Sequence, residues 1–308
     1  MKKIIPLYCL VALLSFNGFA QEKKEVVIET TQLNENIYML KGQGGNIGLS
    51  IGEDGIFMID DQFARLTPKI LEAIRNISDK PIKFLLNTHW HGDHTGGNEN
   101  MSNEGAVIVA HENVRKRMSV DQFNKERNRT TKAAPKAALP VVTFTKDIMF
   151  HMNGEDIMVF HVHHAHTDGD AMVYFTKSNV LHMGDTYFQG KFPYIDLSSG
   201  GSIDGYIQAH KKALMLINDD TKIIPGHRNL SNKKELREYV KMLEDITLKI
   251  RVKIAEGKTI EEVSKDASIT KTYEDQKFAN WFINAETIRS TIYKSLTTHK
   301  KMKSENDR

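Results

Sequence analysis

Cysteine is almost absent from this chain: Cys9 is its single thiol in 308 residues. It sits inside a stretch that begins with Lys2-Lys3 and runs through Ile4-Ile5-Pro6-Leu7-Tyr8-Cys9-Leu10-Val11-Ala12-Leu13-Leu14. A basic start, a short apolar core and small residues at Gly18-Phe19-Ala20 read as a secretory signal peptide, with cleavage after Ala20. A lipid-modified cysteine would want a small residue before it, and Tyr8 is not small. The expected mature chain therefore has no thiol, which excludes disulfides, thiolate metal ligands and a cysteine nucleophile. Long apolar runs are also missing beyond that segment, whose core is too short to span a bilayer as a stable helix. The expectation is an exported, periplasmic or secreted protein without a membrane anchor. Net charge is small as well: +3 is too little to argue for a nucleic-acid partner. Forty per cent apolar and 26% charged residues are ordinary globular composition, enough for one large domain or two small ones.

Histidine is what the chain does have. Asn87-Thr88-His89-Trp90-His91-Gly92-Asp93-His94-Thr95-Gly96-Gly97 places four metal-type side chains within six residues. They follow Ile82-Lys83-Phe84-Leu85-Leu86, an apolar run of strand length after Pro81. Residues at i and i+2 on an extended end point the same way, so His89 and His91 can share one ion. Beyond the small Gly92, Asp93 and His94 can turn toward a second. Imidazole and carboxylate without thiolate suit zinc, with iron and manganese open.

The chain in order predicts short strands at Val26–Ile28 and Ile37–Leu40, then a hairpin pairing Asn46–Ser50 with Ile56–Ile59. A helix follows, with Thr67 as N-cap, Pro68 at its first position, and Ile70, Leu71, Ile74 and Ile77 on one face. After the histidine motif come a strand at Ala106–Ala110 and a helix at Glu112–Met118. Strands are expected at Val141–Phe144, Ile148–His151, Ile157–His161, Ala171–Phe175, Val180–Met183 and Lys222–Ile224, and a helix over Ser202–Ile217. This is an α/β arrangement whose metal-type residues fall at strand ends.

Residues 115–140 carry Arg115, Lys116, Arg117, Lys125, Arg127, Arg129, Lys132 and Lys136 against Asp121 and Glu126. A solvated helix and loop is the favoured reading; the alternative is a flap that draws anionic substrates to a nearby site. Asn128-Arg129-Thr130 also matches a glycosylation sequon. From Asn232 the composition turns helical, with capping-box patterns at Asn232/Glu235 and Thr259/Glu262. One stripe runs through Leu236, Tyr239, Val240, Leu243, Ile246 and Ile250. Another runs through Phe278, Trp281, Phe282, Ala285, Ile288 and Ile292. Both are read as core packing, and Thr297–Arg308 as a frayed tail.

His89-x-His91-x-Asp93-His94, His166 in His-Thr-Asp-Gly-Asp, Asp185 after Gly184, and His227 in Pro-Gly-His follow one another in that order. This combination resembles the metallo-β-lactamase superfamily over roughly residues 35–230. The resemblance implies an αββα sandwich over 26–230, to which the helical 231–308 would add a C-terminal extension packed on the domain. It implies a first zinc held by His89, His91 and His166, a second by Asp93, His94 and His227, and Asp185 bridging them. Two zinc ions about 3.5–4 Å apart would share a hydroxide whose parent water acidifies toward a pKa of about 7. Asp93 would join proton handling, and the substrate would be a small molecule.

His161, His163 and His164 lack the matching context and read as strand or surface residues, with room for one of them to sit behind a ligand. His111, His151, His182 and His210 read as packing residues. Asp60 and Thr167 are candidates to accept the second N–H of a ligating imidazole. Zinc β-lactamases carry a cysteine among the second-zinc ligands where Asp185 stands here, a carboxylate pattern shared with glyoxalase II-like thioesterases and nuclease branches. Gly190-Lys191-Phe192-Pro193-Tyr194-Ile195-Asp196 resembles an exported, β-lactamase-like branch. Lys191 is a candidate for a substrate carboxylate, with an exposed loop lysine as the alternative. No serine triad is visible. The expected function is a dinuclear zinc hydrolase acting on a lactam, lactone or thioester. The alternatives are a mononuclear iron, persulfide-dioxygenase-like enzyme, which leaves Asp93, His94 and His227 idle, and a metal-binding protein without turnover.

Overall fold

The computed structural model describes residues 25–124 and 128–306, so the expected signal peptide lies outside the described residues. Strands β1 (Glu29–Gln32), β2 (Ile37–Lys41), β3 (Ile47–Gly52), β4 (Gly55–Ile59), β5 (Ile82–Asn87) and β6 (Val107–His111) lie side by side in that order. After a separate hairpin of β7 (Gln122–Asn124) and β8 (Arg129–Thr131), β9 (Val142–Phe144) joins β6 and completes a seven-stranded sheet. The second sheet has six strands in sequence order. They are β10 (Asp147–Met152), β11 (Glu155–His161), β12 (Ala171–Phe175), β13 (Val180–Phe188), β14 (Lys222–His227) and β15 (Ser231–Asn232).

Strand alternation sorts the apolar residues into layers. Phe57 and Ile59 of β4, Leu86 of β5 and Val109 of β6 face Val159, Val173 and Phe175 of the second sheet, forming the core between the sheets. Their neighbours Ile56, Met58, Leu85 and Ile108 point the other way. They bury Ile70 and Ile74 of α1 (Thr67–Arg75) and Met101, which lies beyond the short α2 (Gly92–Thr95) on α3 (Asn98–Asn103). Helix α4 (Glu112–Met118) packs Val114 and Met118 against Ala110 near the end of β6. The outer face of the second sheet buries Ile203, Tyr206 and Ala213 of α5 (Ile203–Leu216) and Leu236, Leu243 and Ile250 of α6 (Lys233–Ala255). The short α7 (Ile260–Lys265) and α8 (Lys271–Asp275) lead to α9 (Ala285–Asn306), whose Ile288 and Ile292 enter the same core. Helices outside two facing sheets make the expected αββα sandwich, and the C-terminal helices pack on its second sheet.

Several elements differ from the sequence expectations. The first strand is Glu29–Gln32, because its partner β2 ends at Lys41, opposite Glu29, leaving Val26–Ile28 nothing to pair with. Leu66, not Thr67, is the N-cap of α1; the Thr67 hydroxyl instead accepts from Asn100 Nδ2 at 3.0 Å and ties α1 to α3. Strand β13 runs on to Phe188, with irregular pairing around Gly184, whose φ of +52° a side chain would strain. Glu262 completes its capping box with Thr259, whereas Glu235 turns to the Ser231 hydroxyl instead. The Phe278–Ile292 stripe is not one helix: α9 begins at Ala285, and Phe282 is 58% exposed. Helix α9 itself continues through the expected frayed tail to Asn306.

Candidate metal centre

Parallel strands bring their C-terminal ends together at one edge of the sandwich, and the metal-type residues are attached there. His89 to His94 follow β5, Asp185 lies in β13 and His227 ends β14. His166 comes from the loop between β11 and β12. The ligand atoms of His89, His91, His166 and Asp185 lie within 4.8 Å of one another, as do those of Asp93, His94 and His227. Asp185 divides its oxygens between the two groups. One, Oδ2, lies 3.8 Å from His89 Nε2 and 3.6 Å from His166 Nε2. The other, Oδ1, lies 3.0 Å from His94 Nε2 and 3.3 Å from His227 Nε2.

Neighbouring charges pull the imidazoles apart in pKa. Burial pushes His89 well below the ordinary histidine value, and burial together with His91 takes His166 down to about 4. Burial also opposes charge on His227, yet Asp185 and Asp93 overcome it and hold that ring at about 9. Burial disfavours charge on Asp93 too, but His94 and His227 keep its carboxyl at about 2. Deep inside, His89 Nε2 makes no hydrogen bond, and Asp185 Oδ1 faces only the His94 and His227 nitrogens. Buried polar atoms without partners are costly, and a cation between these nitrogens and carboxylates would satisfy them. The all-nitrogen-and-oxygen donor set fits zinc.

Each imidazole is held from behind. His89 Nδ1 lies 3.1 Å from the Thr88 hydroxyl, which donates to Asp60 Oδ2 at 2.7 Å. The same oxygen is 2.7 Å from His94 Nδ1, so Asp60 fills the accepting role expected of it. It serves His94 directly and His89 through Thr88, from a left-handed position, φ +60°, straight after β4. His166 Nδ1 donates to the Tyr194 carbonyl at 2.7 Å, not to Thr167. Thr167 instead donates to buried Asp170, whose Oδ2 also accepts the His166 and Thr167 backbone N–H groups. That corrects the role expected of Thr167: it shapes the loop and touches no ligand ring. Small residues keep the backbone close: a Cβ at Gly45 would meet the His94 ring, and one at Gly226 would meet Asp185.

Sequence reasoning missed Asp196. Its Oδ2 is 3.0 Å from His91 Nε2, and Ser198 and Ser199 donate to the same carboxylate. The signal lies in the loop after β13, an acid two residues after Tyr194 with serines following. Lys191 is placed differently from expectation. It is 8% exposed, donates to the Lys277 carbonyl at 2.9 Å and does not line the cavity over the histidines. The loop folds against residues 277–281, with Trp281 Nε1 donating to the Phe192 carbonyl, and this carries the lysine away. The remaining histidines bind elsewhere. His161 stacks on His111 at 3.9 Å and contacts the Asp170 carbonyl, while exposed His164 contacts the Gly200 carbonyl. His163 is exposed against His161, and His151 pairs with Asp156. His182 and His210 contact the Asn46 and Tyr206 carbonyls.

A cavity of about 360 Å³ opens above Asp93, Asp185 and His227. Its walls include Trp90, Tyr194, the β7–β8 hairpin and Phe282, so part of the second C-terminal stripe is a site wall and not core. The basic segment divides. Arg117 forms a two-point pair with Asp168 at 2.7 Å, Lys116 pairs with Glu112, Lys132 with Asp121, and Arg115 donates to the Pro140 carbonyl. Arg129 faces the cavity. Lys125, Glu126 and Arg127 lie outside the described residues.

The comparisons with known proteins agree with this architecture. A hydroxyacylglutathione hydrolase of Pelagibacter ubique is 25% identical over 222 residues, covering 70% of this chain and 80% of that protein. The metallo-beta-lactamase IND-1 of Chryseobacterium indologenes is 22% identical over 74% of this chain and 92% of its own. Among solved structures, a metallo-beta-lactamase from Pontibacter korlensis superposes with a TM-score of 0.59 at 18% identity, covering 71% of this chain and 99% of that one. The sequence model of the metallo-beta-lactamase superfamily matches residues 33–227, from the segment before β2 to the last histidine of the constellation, and the chain belongs to that superfamily.

Proposed function

We propose that this metal-dependent hydrolase is dinuclear, uses zinc, and cleaves a carboxylic derivative: a β-lactam, a lactone or a thioester. The observation that carries the proposal is the divided Asp185 carboxylate, one oxygen toward His89 and His166, the other toward His94 and His227. His89, His91 and His166 would hold one ion, Asp93, His94 and His227 the other, with Asp185 shared. Bound zinc would supply a water acidified toward a pKa of about 7 and a Lewis acid for the carbonyl oxygen. The chain's own groups do the rest. Asp60, Thr88, Asp196 and the Tyr194 carbonyl orient the rings. Asp93 is ionised at neutral pH and borders the cavity, where it can accept a proton and return it to the leaving group. Relatives named hydroxyacylglutathione hydrolase and metallo-beta-lactamase support hydrolysis of thioester-like and lactam bonds.

Metal analysis of the purified protein, paired with a panel of lactam, lactone, thioester and phosphodiester substrates, tests this. Close to two zinc ions per chain and turnover of one of the first three classes are expected. Asp185→Asn should lower metal content and rate together, because a shared carboxylate becomes neutral. One tightly bound iron, with oxygen consumed on a persulfide, would replace the proposal with a dioxygenase. That enzyme would leave Asp93, His94 and His227 without work, whereas here the three converge.

A further inference from the structure

We propose that strands β7 and β8 and the segment before α9 form a substrate subsite beside the metal centre, for a monoanion with an apolar body. Arg129 would take the anionic group, and Phe123 and Phe282 would hold the body. The inference rests on the hydrolase reading only for the position of the scissile bond; the subsite itself is argued from the walls of the cavity.

The apolar part comes first. Six aromatic residues line the cavity: Phe63, Trp90, Phe123, Phe188, Tyr194 and Phe282. Two of them are unlike the rest. Phe123 is 60% exposed and Phe282 58% exposed, both on the open side of the cavity. Large exposed aromatics at the mouth of a concave site are surface that a ligand can bury. Phe282 is held in place by Trp281 at 4.3 Å and Tyr194 at 5.9 Å between ring centroids. The hairpin carrying Phe123 is fastened on two sides. Gln122 exchanges hydrogen bonds with Arg117, and Asn124 Nδ2 donates to the Ser198 hydroxyl at 3.2 Å. Both rings therefore stand on supported backbone, and neither belongs to an element that carries a metal-type residue.

The charge comes second. Arg129 is the sole lysine or arginine among the described residues that line the cavity. Arg115, Lys116, Arg117 and Lys132 are committed to protein partners, and the Arg129 side chain makes no ion pair or hydrogen bond among the described residues. The carboxylates bordering the cavity are already matched: Asp93 by His227, Asp185 by His94 and His227, and Asp196 by His91. Among the described residues, an incoming anion thus meets one unmatched guanidinium whose planar fork suits a carboxylate. The hairpin alternates as a strand does, yet Phe123 and Arg129 both border the cavity. The apolar and cationic features thus border one cavity of about 360 Å³.

The two tryptophans of the chain make binding visible without turnover. Trp90 lines the cavity, and Trp281 packs on Phe188 and lies 6.1 Å from His227. Tryptophan fluorescence of the zinc-loaded protein is titrated with 3-phenylpropionate and with its neutral match, 3-phenylpropionamide. The acid should bind more tightly than the amide. Because a carboxylate also seeks the metals, the decisive quantity is that preference in Arg129→Gln against the unaltered protein. It should fall about three- to tenfold, the range expected of a partly exposed charge-assisted contact, while the amide's affinity stays constant. Arg129→Lys should retain part of it. Phe123→Ala and Phe282→Ala should weaken acid and amide alike, severalfold, and leave their ratio alone.

An unchanged ratio in Arg129→Gln, or no saturable binding of either probe, overturns the subsite. Unchanged affinities in both phenylalanine variants overturn its apolar half. Discrimination that behaves as expected in a protein that hydrolyses none of the carboxylic derivatives would sink the hydrolysis proposal and leave the subsite standing. Hydrolysis with no effect of Arg129 would do the reverse.

Discussion

Asp196 shows how one carboxylate can matter without touching substrate chemistry. Its 3.0 Å contact to His91 Nε2 assigns the proton to that nitrogen and leaves Nδ1, 2.9 Å from His166 Nε2, as the lone pair turned to the constellation. Asp196→Asn keeps the shape but removes the charge that favours this orientation. Metal affinity, measured by competition with a chelator, should drop roughly ten- to a hundredfold, the usual cost of losing such a partner. Affinity equal to the unaltered protein would mean that Ser198 and Ser199, not His91, are the reason for the acid. Lys191 teaches the opposite lesson. Its spacing after Asp185 suggested a substrate contact, but a lysine stem is long and a local carbonyl, that of Lys277, was near enough to take it.

Helix α5 shows what burial does to a histidine outside the metal centre. His210 is fully buried, stacked near Tyr239 at 5.4 Å, with Nδ1 donating to the Tyr206 carbonyl and Nε2 without a partner. Protonation would bury a charge with an unmatched N–H, and burial accordingly takes this ring from 6.5 down to about 4. The unfolded chain binds a proton below pH 6.5 that the folded chain refuses until about pH 4. Stability from this residue is therefore complete above pH 6.5 and is lost as pH falls toward 4, on the order of 3 kcal/mol in all. His161, also brought to about 4, acts in the same direction. Comparing thermal midpoints at pH 7.5 and 4.5, His210→Phe should show a smaller acid loss than the unaltered protein. An equal loss would place acid sensitivity elsewhere. Strand and helix cores of this kind were legible from apolar periodicity. Element ends were not, because they depend on the partner: β1 begins where β2 stops, and β13 outruns its apolar stretch by pairing with β14.

For the molecule as a whole, the C-terminal helices α6 and α9 complete the core of the second sheet through Leu236, Leu243, Ile250, Ile288 and Ile292, and the segment between them borders the cavity with Phe282. No helix among the described residues is long and apolar enough to cross a membrane. The basic start and apolar run at residues 4–14 instead lead us to propose export, with processing after Ala20. Mass spectrometry of protein recovered from cells should find a chain that begins at or near Gln21. Full-length protein retained in the cytoplasm at steady state would refute the proposal.

By itself the sequence determined the chemistry available and the layers of the fold. Period-two apolar alternation separates the two faces of each strand, and near absence of thiol leaves only imidazole and carboxylate as metal donors. Dense spacing made His89 to His94 legible, and short motifs around His166, Asp185 and His227 made the others so. Tertiary structure alone decided what lies behind and in front of them. Asp196 is 105 residues from His91, and Phe282 is much farther along the chain from Trp90. No local period encodes such pairings. They arise because parallel strand ends, a hairpin and a C-terminal turn converge on one edge of the sandwich, where packing of the whole chain sets each distance.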